Sequence, residues 1–314
     1  MSTVVLRTAD GWWVRARDAA VRVDTAANTT AELLADRAAV RSAAEAAAED
    51  GVPVESLDLV SPVTAPCRVV AQMTNYRSHV RESGMNPDTV PLAFFRKSSG
   101  SMCGPVDDVI KPAHVQLLDY EVEVGLVVGK TLEVGSIVDD STVAEHIAAL
   151  VIANDVSARD VQLPKTQFYE SKSYPTFTPV GPALVLLEDG DLKRFEHLRL
   201  MLRVNGQVRQ NSTVRDMIYR PTDALRALTR FQRVDPGDLI LTGTPGGTAL
   251  KAPPKPIEMI GALLPPAVKW KTFFRRQARN LSFLQDGDVM EATIATDDAM
   301  LDLGRQRTTV RFAR

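Results

Sequence analysis

Cysteine is nearly absent. The 314 residues hold two, Cys67 and Cys103, which excludes a disulfide framework and fits a reducing, cytoplasmic setting. No uninterrupted apolar stretch reaches the ~20 residues of a membrane span. The first residues, MSTVVLRTADGWW, lack a basic segment followed by an apolar one, so no signal peptide is expected. Charge of one sign is not in excess. With 37 basic and 39 acidic residues the formal net charge is -2, and no strong field steers the chain to nucleic acid or a membrane surface. Two motifs are also missing. There is no G-x-S-x-G elbow, which speaks against a serine hydrolase. The glycine-rich TGTPGG at 242–247 has no GK[ST] after it, and G-x-G-x-x-G does not occur, so a phosphate loop is excluded.

What is present reads as a globular enzyme-sized chain, 45% hydrophobic and 24% charged. Residues 3–24 alternate in short runs, TVVLRT, GWWVRAR and AAVRVDT, which predict small strands. TTAELLADRAAVRSAAEAAAEDG predicts one helix, capped by Thr and stopped at Gly51, with the alanine run 43–48 on its face. SPVTAP at 61–66 reads as a linker between a small N-terminal α/β domain, 1–65, and a catalytic domain, 66–314. Beyond it come a strand at RVVAQM, a helical turn ending at Gly84, a short strand near 92–95 and a buried strand LVIANDVS after a helix. LRLMLRVNGQVRQ predicts a hairpin with Asn205-Gly206 in a type I′ turn. PTDALRALTRFQRV is helical, and the runs after two Gly-Asp turns, GDLILTG and GDVMEATIAT, are strands. Strands outnumber helices, and their short spacing predicts an α+β, mostly β fold built on a rolled mixed sheet.

One strand carries chemistry. In LLDYEVEVGLVVGK, Glu121 and Glu123 are two apart, so they share a face roughly 7 Å apart at Cα, and Asp119 has the same parity. The surroundings are apolar. Two like charges ~4 Å apart cost on the order of 4 kcal/mol at an effective dielectric of 20, and burial raises that cost. A divalent cation or a shared proton removes the difficulty. Asp155 ends the apolar run LVIAND and makes a third candidate ligand. Hard carboxylate oxygens suit Mg²⁺, Mn²⁺ or Ca²⁺ rather than zinc. Nearby, NYRSHVRESG places His79 and Glu82 on one face of a helical turn, a pair suited to general-base chemistry. His114, His146 and His197 have no such neighbour and read as surface or structural. Cys103 reads as a packed loop residue rather than a nucleophile.

LDYEVEVGLVVGK, NDVSARDVQ, KSYPTFTPVGPALV, VNGQVRQNSTVRDMI and GDLILTGTPGG, in this order over roughly residues 66–250, resemble the fumarylacetoacetate hydrolase family in its acylpyruvate-hydrolase-like branch. The resemblance implies a mixed β-roll and a homodimer. It implies Glu121, Glu123 and Asp155 as ligands of Mg²⁺ or Mn²⁺, and His79 with Glu82 as the pair that activates water. It implies Lys172 beside the metal as an enolate stabiliser, and Tyr76, Arg159, Gln162 and Thr244 as substrate contacts. The implied reaction is hydrolysis of a C–C bond in a 2,4-dioxo acid or related diketone, of the kind met in aromatic catabolism. The runner-up is a decarboxylase, isomerase or hydratase using the same metal-enolate site. A non-catalytic 2-oxo-acid-binding protein is a third reading. The resemblance has a gap: MLDLGRQRTTVRFAR lacks the Gly-x-Leu-x-Asn pattern near the last strand, so the pocket wall is expected to differ there.

Two further expectations concern flexible or added parts. Residues 76–90 read as a lid that orders on substrate binding. Short family members pass quickly from TGTPGG to the GD strand, whereas here an insertion at about 250–284 intervenes. Pro253, Pro254 and Pro256 predict an extended start, and residues 267–284 predict a basic amphipathic helix whose apolar face needs a partner.

Overall fold

The computed structural model describes residues 2–46, 51–188, 190–253, 257, 259 and 263–313. A sheet of ten strands forms the centre. Its spatial order is Val52–Pro53, Ala19–Arg22, Gly11–Ala16, Thr3–Thr8, Leu184–Leu186, Ile147–Asn154, Val122–Val128, Leu239–Leu241, Val69–Gln72 and Phe94–Lys97. Most pairs are antiparallel, but Leu239–Leu241 runs parallel to Val69–Gln72, so the sheet is mixed. A second sheet of five strands has the order Gln207–Thr213, Leu198–Val204, Val289–Thr296, Asp302–Phe312 and Asp108–Lys111.

The reason for two sheets lies in the patterning. Leu198–Val204 and Val289–Thr296 alternate buried and half-exposed residues, so each has one apolar face to cover. Val122–Val128 is buried throughout and needs cover on both faces. Its even-numbered residues, Val122, Val124, Leu126 and Val128, join Leu200, Leu202, Ile294 and Val310 in a core between the sheets. Val127 faces the opposite way, into a second core with Val151, Leu239 and Leu33 and Val40 of two N-terminal helices. Gly125 is required where this strand meets its neighbours: a Cβ there would lie 2.6 Å from Val151 Cγ2 and 2.9 Å from Leu239 Cδ1.

The N-terminal strands extend the large sheet, since Val4 and Val5 pair with Val185 and Leu184. The single helix expected over residues 29–51 is two, Thr30–Ala35 and Arg37–Ala46, broken at Asp36 (φ -101, ψ 51). Thr29 caps the first helix as expected, and Glu32 completes a reciprocal cap with it. Ala47 and Ala48 lie outside the described residues. The strand near 92–95 begins later, at Phe94. Asn205 and Gly206 both have positive φ (51 and 77), as a type I′ hairpin turn demands.

The insertion departs most from expectation. Its helix spans Pro266–Gln277, shorter than predicted, and none of its residues is buried. Trp270, Phe273 and Phe274 stack chiefly on one another, with centroids 5.7–6.0 Å apart. Phe274 alone of them also packs against the core between the sheets. Phe283 and Leu284 belong to that core, and Leu284 N donates to Leu118 O at 2.9 Å. Pro254 and Pro256 lie outside the described residues.

Candidate metal centre and active site

The acidic strand is interrupted where its chemistry sits. Leu118–Asp119 and Val122–Val128 are separate strands, with Tyr120 and Glu121 between them. Glu121 is held by its backbone: its N–H donates to Asn154 Oδ1 at 2.9 Å, and its carbonyl accepts from Asp155 N at 2.8 Å. Asp155 follows directly on the strand Ile147–Asn154, which pairs with Val122–Val128 so that Val122 faces Asn154. Antiparallel pairing therefore brings the start of one strand to the end of the other. Carboxylate oxygens of Glu121, Glu123 and Asp155 all come within 4.8 Å of one another, and all three residues are buried.

Cations surround this cluster. Lys172 Nζ donates to Glu121 Oε2 at 2.8 Å and also to Asp155 Oδ2. Arg159 donates to Asp119 Oδ2 at 2.8 Å, to Glu121 Oε1 at 2.5 Å and to Gln162 Oε1 at 2.9 Å. Asp119 also accepts from the backbone N–H of Ala249 and Leu250, so it anchors Arg159 and does not join the triad. Lys97 was not singled out from the sequence. It is fully buried and pairs with Asp155 Oδ1 and Phe177 O.

The electrostatics separate the two glutamates. Burial pushes Glu121 up, but the adjacent charges of Lys172 and Arg159 outweigh it and hold the carboxyl well below its usual range. Burial, reinforced by the charges of Asp155 and Glu121, pushes Glu123 well above its ordinary 4.5. Its carboxyl accepts a hydrogen bond from Gly243 N at 2.7 Å. Tyr76 is completely buried, its hydroxyl has no hydrogen-bond partner among the described residues, and burial followed by the charge of Glu123 raises its pKa. A divalent cation fits these residues: the donors are all hard oxygens, and the buried Glu123 carboxyl has no hydrogen-bonded cation of its own among the described residues.

His79 stands on the helix Arg77–Glu82. Burial lowers its pKa from the ordinary 6.5, the charges of Arg159 and Lys172 lower it further, and Glu121 and Asp119 oppose them. Those charges act on the ring, and its buried Nδ1 has no hydrogen-bond partner among the described residues. Glu82 is on the same helix but forms no hydrogen bond to His79. Its Oε2 accepts from Gly247 N at 2.8 Å, and its Oε1 lies 3.7 Å from Lys251 Nζ. The Thr244 hydroxyl donates to Val122 O at 2.9 Å and accepts from Gln210 Nε2 at 2.8 Å. The other histidines lie apart: His114 meets Tyr174, His197 meets Arg215, and His146 is buried in the short helix Val143–His146. Burial pushes both cysteine thiols up to about 12, so neither is a thiolate nucleophile at neutral pH.

With this geometry in view, comparison with known proteins decides the family. The sequence profile "Fumarylacetoacetate (FAA) hydrolase C-terminal" matches residues 68–311. The chain belongs to the fumarylacetoacetate hydrolase family. A fumarylacetoacetate hydrolase domain-containing protein 2 homolog of Dictyostelium discoideum is 34% identical over 214 residues, 66% of this chain and 68% of that one. A human mitochondrial oxaloacetate tautomerase is 34% identical over 206 residues, 65% of this chain and 64% of its own length. The chain therefore spans a little under two-thirds of that relative. Among solved structures, a probable 2-hydroxyhepta-2,4-diene-1,7-dioate isomerase from Mycobacterium abscessus superposes with a TM-score of 0.75 at 29% identity, covering all of both chains. The fumarylacetoacetate hydrolase of Exiguobacterium antarcticum shares the fold, with a TM-score of 0.71 at 24% identity over all of both chains. Among the described residues no helix is long and apolar enough to cross a membrane.

Proposed function

We propose that this protein is a divalent-metal-dependent enzyme that moves a proton on an enolisable 2-oxo acid, interconverting keto and enol forms or positional isomers. One observation carries the reading: the His79 ring is buried, its Nδ1 has no hydrogen-bond partner among the described residues, and the charges of Glu121, Arg159, Lys172 and Asp119 act on it. Glu121, Glu123 and Asp155 would hold Mg²⁺ or Mn²⁺, with Ca²⁺ as a third hard cation. When bound, the ion supplies Lewis-acid polarisation of the substrate's oxo group.

The chain's own residues do the rest. His79 takes the proton from the carbon next to the oxo group, and the electron pair moves onto the oxo oxygen. Lys172 places a positive charge beside that oxygen. Arg159 and Gln162 present fixed polar groups toward the substrate carboxylate. Proton return from His79 to carbon or oxygen completes the exchange, so atoms and charge balance. The relatives named as tautomerase and isomerase support this class.

A second reading is C–C bond hydrolysis of a 2,4-dioxo acid. It is favoured by Glu82 lying one helical turn from His79. There His79, supported by Glu82, takes a proton from water, the hydroxide adds to the distal carbonyl, and the C–C bond breaks to leave the same enolate. It requires Glu82 to leave Gly247. The test offers the Mn²⁺-loaded protein oxaloacetate enol, followed by ultraviolet decay, and separately an acylpyruvate. Faster enol decay with the acylpyruvate intact supports proton transfer. Cleavage of the acylpyruvate supports hydrolysis, and failure with both defeats the 2-oxo-acid reading. We propose a homodimer as the working unit, which sedimentation equilibrium tests directly.

A further inference from the structure

The helix that carries His79 has six residues, Arg77–Glu82, and no cap of its own: Tyr76 at its N-cap makes no side-chain hydrogen bond. A helix this short does not stand in water without help. The help comes from residues about 140 positions away, in the segment Asp216–Tyr219. Asp216 Oδ2 accepts from Ser78 N at 3.0 Å and from Ser78 Oγ at 2.5 Å. It thus serves as the cap that Tyr76 does not provide. Next to it, Ile218 N donates to Asn75 O at 2.8 Å, and Tyr219 N donates to Asn75 Oδ1 at 2.9 Å. Asn75 Nδ2 donates in turn to Tyr219 O and Thr242 O. The Tyr219 hydroxyl then reaches past the helix to Val90 O at 2.7 Å.

The other end is held from a second direction. Gly247 N donates to Glu82 Oε2, and Ala252 N donates to Glu82 O at 3.1 Å. Gly246 N donates to Ser78 Oγ at 3.0 Å. Gly247 suits this place because its φ is +103 and a Cβ there would run into the carbonyl of Arg209. None of these bonds involves the His79 ring.

We propose that Asp216 is a positioning residue for His79: with Ser78 at one end and Glu82 clasped by Gly247 at the other, it fixes the helix, and with it the imidazole, before substrate arrives. The catalytic half of this inference rests on the reading of His79 as the proton-transfer group. It assigns Glu82 a role that does not require contact with His79. It also makes the helix the fixed part of residues 76–90, in contrast to a lid that orders as a whole.

The experiment pairs rates with hydrogen exchange in the full-length, Mn²⁺-loaded protein. Asp216→Ala, Asp216→Asn, Ser78→Ala, His79→Ala and the double variant Asp216→Ala/His79→Ala are compared on oxaloacetate enol. A base displaced by ~1 Å loses on the order of 10²-fold in rate. Asp216→Ala is expected to lose about that factor in kcat with little change in KM or Mn²⁺ affinity. Amides 77–82 should exchange faster while those of Val122–Val128 stay protected. Asp216→Asn, whose amide oxygen still accepts from Ser78 N, should recover most of the rate, and Ser78→Ala should show a smaller loss of the same kind. The double variant should be no slower than His79→Ala alone. Unchanged exchange at 77–82 in both Asp216→Ala and Ser78→Ala overturns the pinning. A double variant slower than His79→Ala by the full factor overturns action through His79. If His79→Ala keeps the wild-type rate, the base assignment falls, and the exchange data still judge the pinning by themselves.

Discussion

Lys97 is hydrogen bonded to Asp155, although the strand that holds Lys97 and the strand that Asp155 follows stand four places apart in the large sheet. Laid flat, four steps of ~4.8 Å would separate those strands by about 19 Å. The contact therefore requires the sheet to curl until its edge approaches its middle. Two pairings carry the curl round: Met102–Cys103 lies parallel to Thr178–Pro179, and Val180 bridges to Ala153. The curl gives Asp155 a second cation besides Lys172 and leaves Glu123 as the triad carboxylate with no cation hydrogen bonded to it among the described residues.

Lys97→Met is expected to destabilise the protein, by less than the about 3–5 kcal/mol of a fully unpaired buried charge because Lys172 still pairs with Asp155. Denaturant unfolding of the metal-free protein measures it. Unchanged stability would show that Lys172 alone neutralises Asp155.

Glu123 ties metal binding to pH. Its raised pKa means that the folded, metal-free protein keeps a proton there which the unfolded chain loses near 4.5. The stability contributed by this group is full below pH 4.5 and is lost as pH rises through the raised folded value. A metal ion competes with that proton, so Mn²⁺ affinity should increase with pH over this window and binding should release a proton. Calorimetry in buffers of different ionisation enthalpy reads the proton count, and a count of zero counts against the assignment. Glu123→Gln should raise the metal-free melting temperature by a few degrees, for a gain of about 1–3 kcal/mol. It should also abolish the shift that Mn²⁺ gives the wild type.

As the proposed proton-transfer group, His79 should set the acid limb of activity. Only the neutral imidazole accepts a proton, and burial has lowered its pKa from 6.5. Activity should therefore persist below pH 6.5 and decline only when pH falls through the lowered value. His79→Ala should reduce kcat by ~10²–10⁴ and leave Mn²⁺ affinity in place. An acid limb above pH 6.5 would point to a different titrating group.

The insertion should prove dispensable for folding. No residue of Pro266–Gln277 is buried, whereas Phe283 and Leu284 are core residues. Replacing residues 254–279 by a short Gly-Ser bridge should change stability by less than about 1 kcal/mol and alter substrate preference or dimerisation. A variant that keeps both its substrate range and its dimer would leave the segment without either role.

The sequence alone carried the acidic triad because each carboxylate is marked locally. Glu121 and Glu123 violate an apolar strand at a spacing of two, and Asp155 ends a run of buried residues. Those signals need only the strand period and the cost of buried charge. The hairpin at Asn205-Gly206 and the cap at Thr29 were legible for the same reason: their physics spans four residues or fewer. The break at Asp36 was not, since the helical propensity of the run continues through it. Lys97, Asp216 and the partner of Glu82 were decided by the tertiary structure. Ser78 and Asp216 are 138 positions apart, and Glu82 and Gly247 are 165 apart. A lysine in FFRK, or an aspartate in STVRDMI, looks like any solvated charge until the curled sheet brings it to a carboxylate or an uncapped helix. Hydrogen bonds form over about 3 Å and carry no trace along the chain, so such pairs exist only once the sheet has closed.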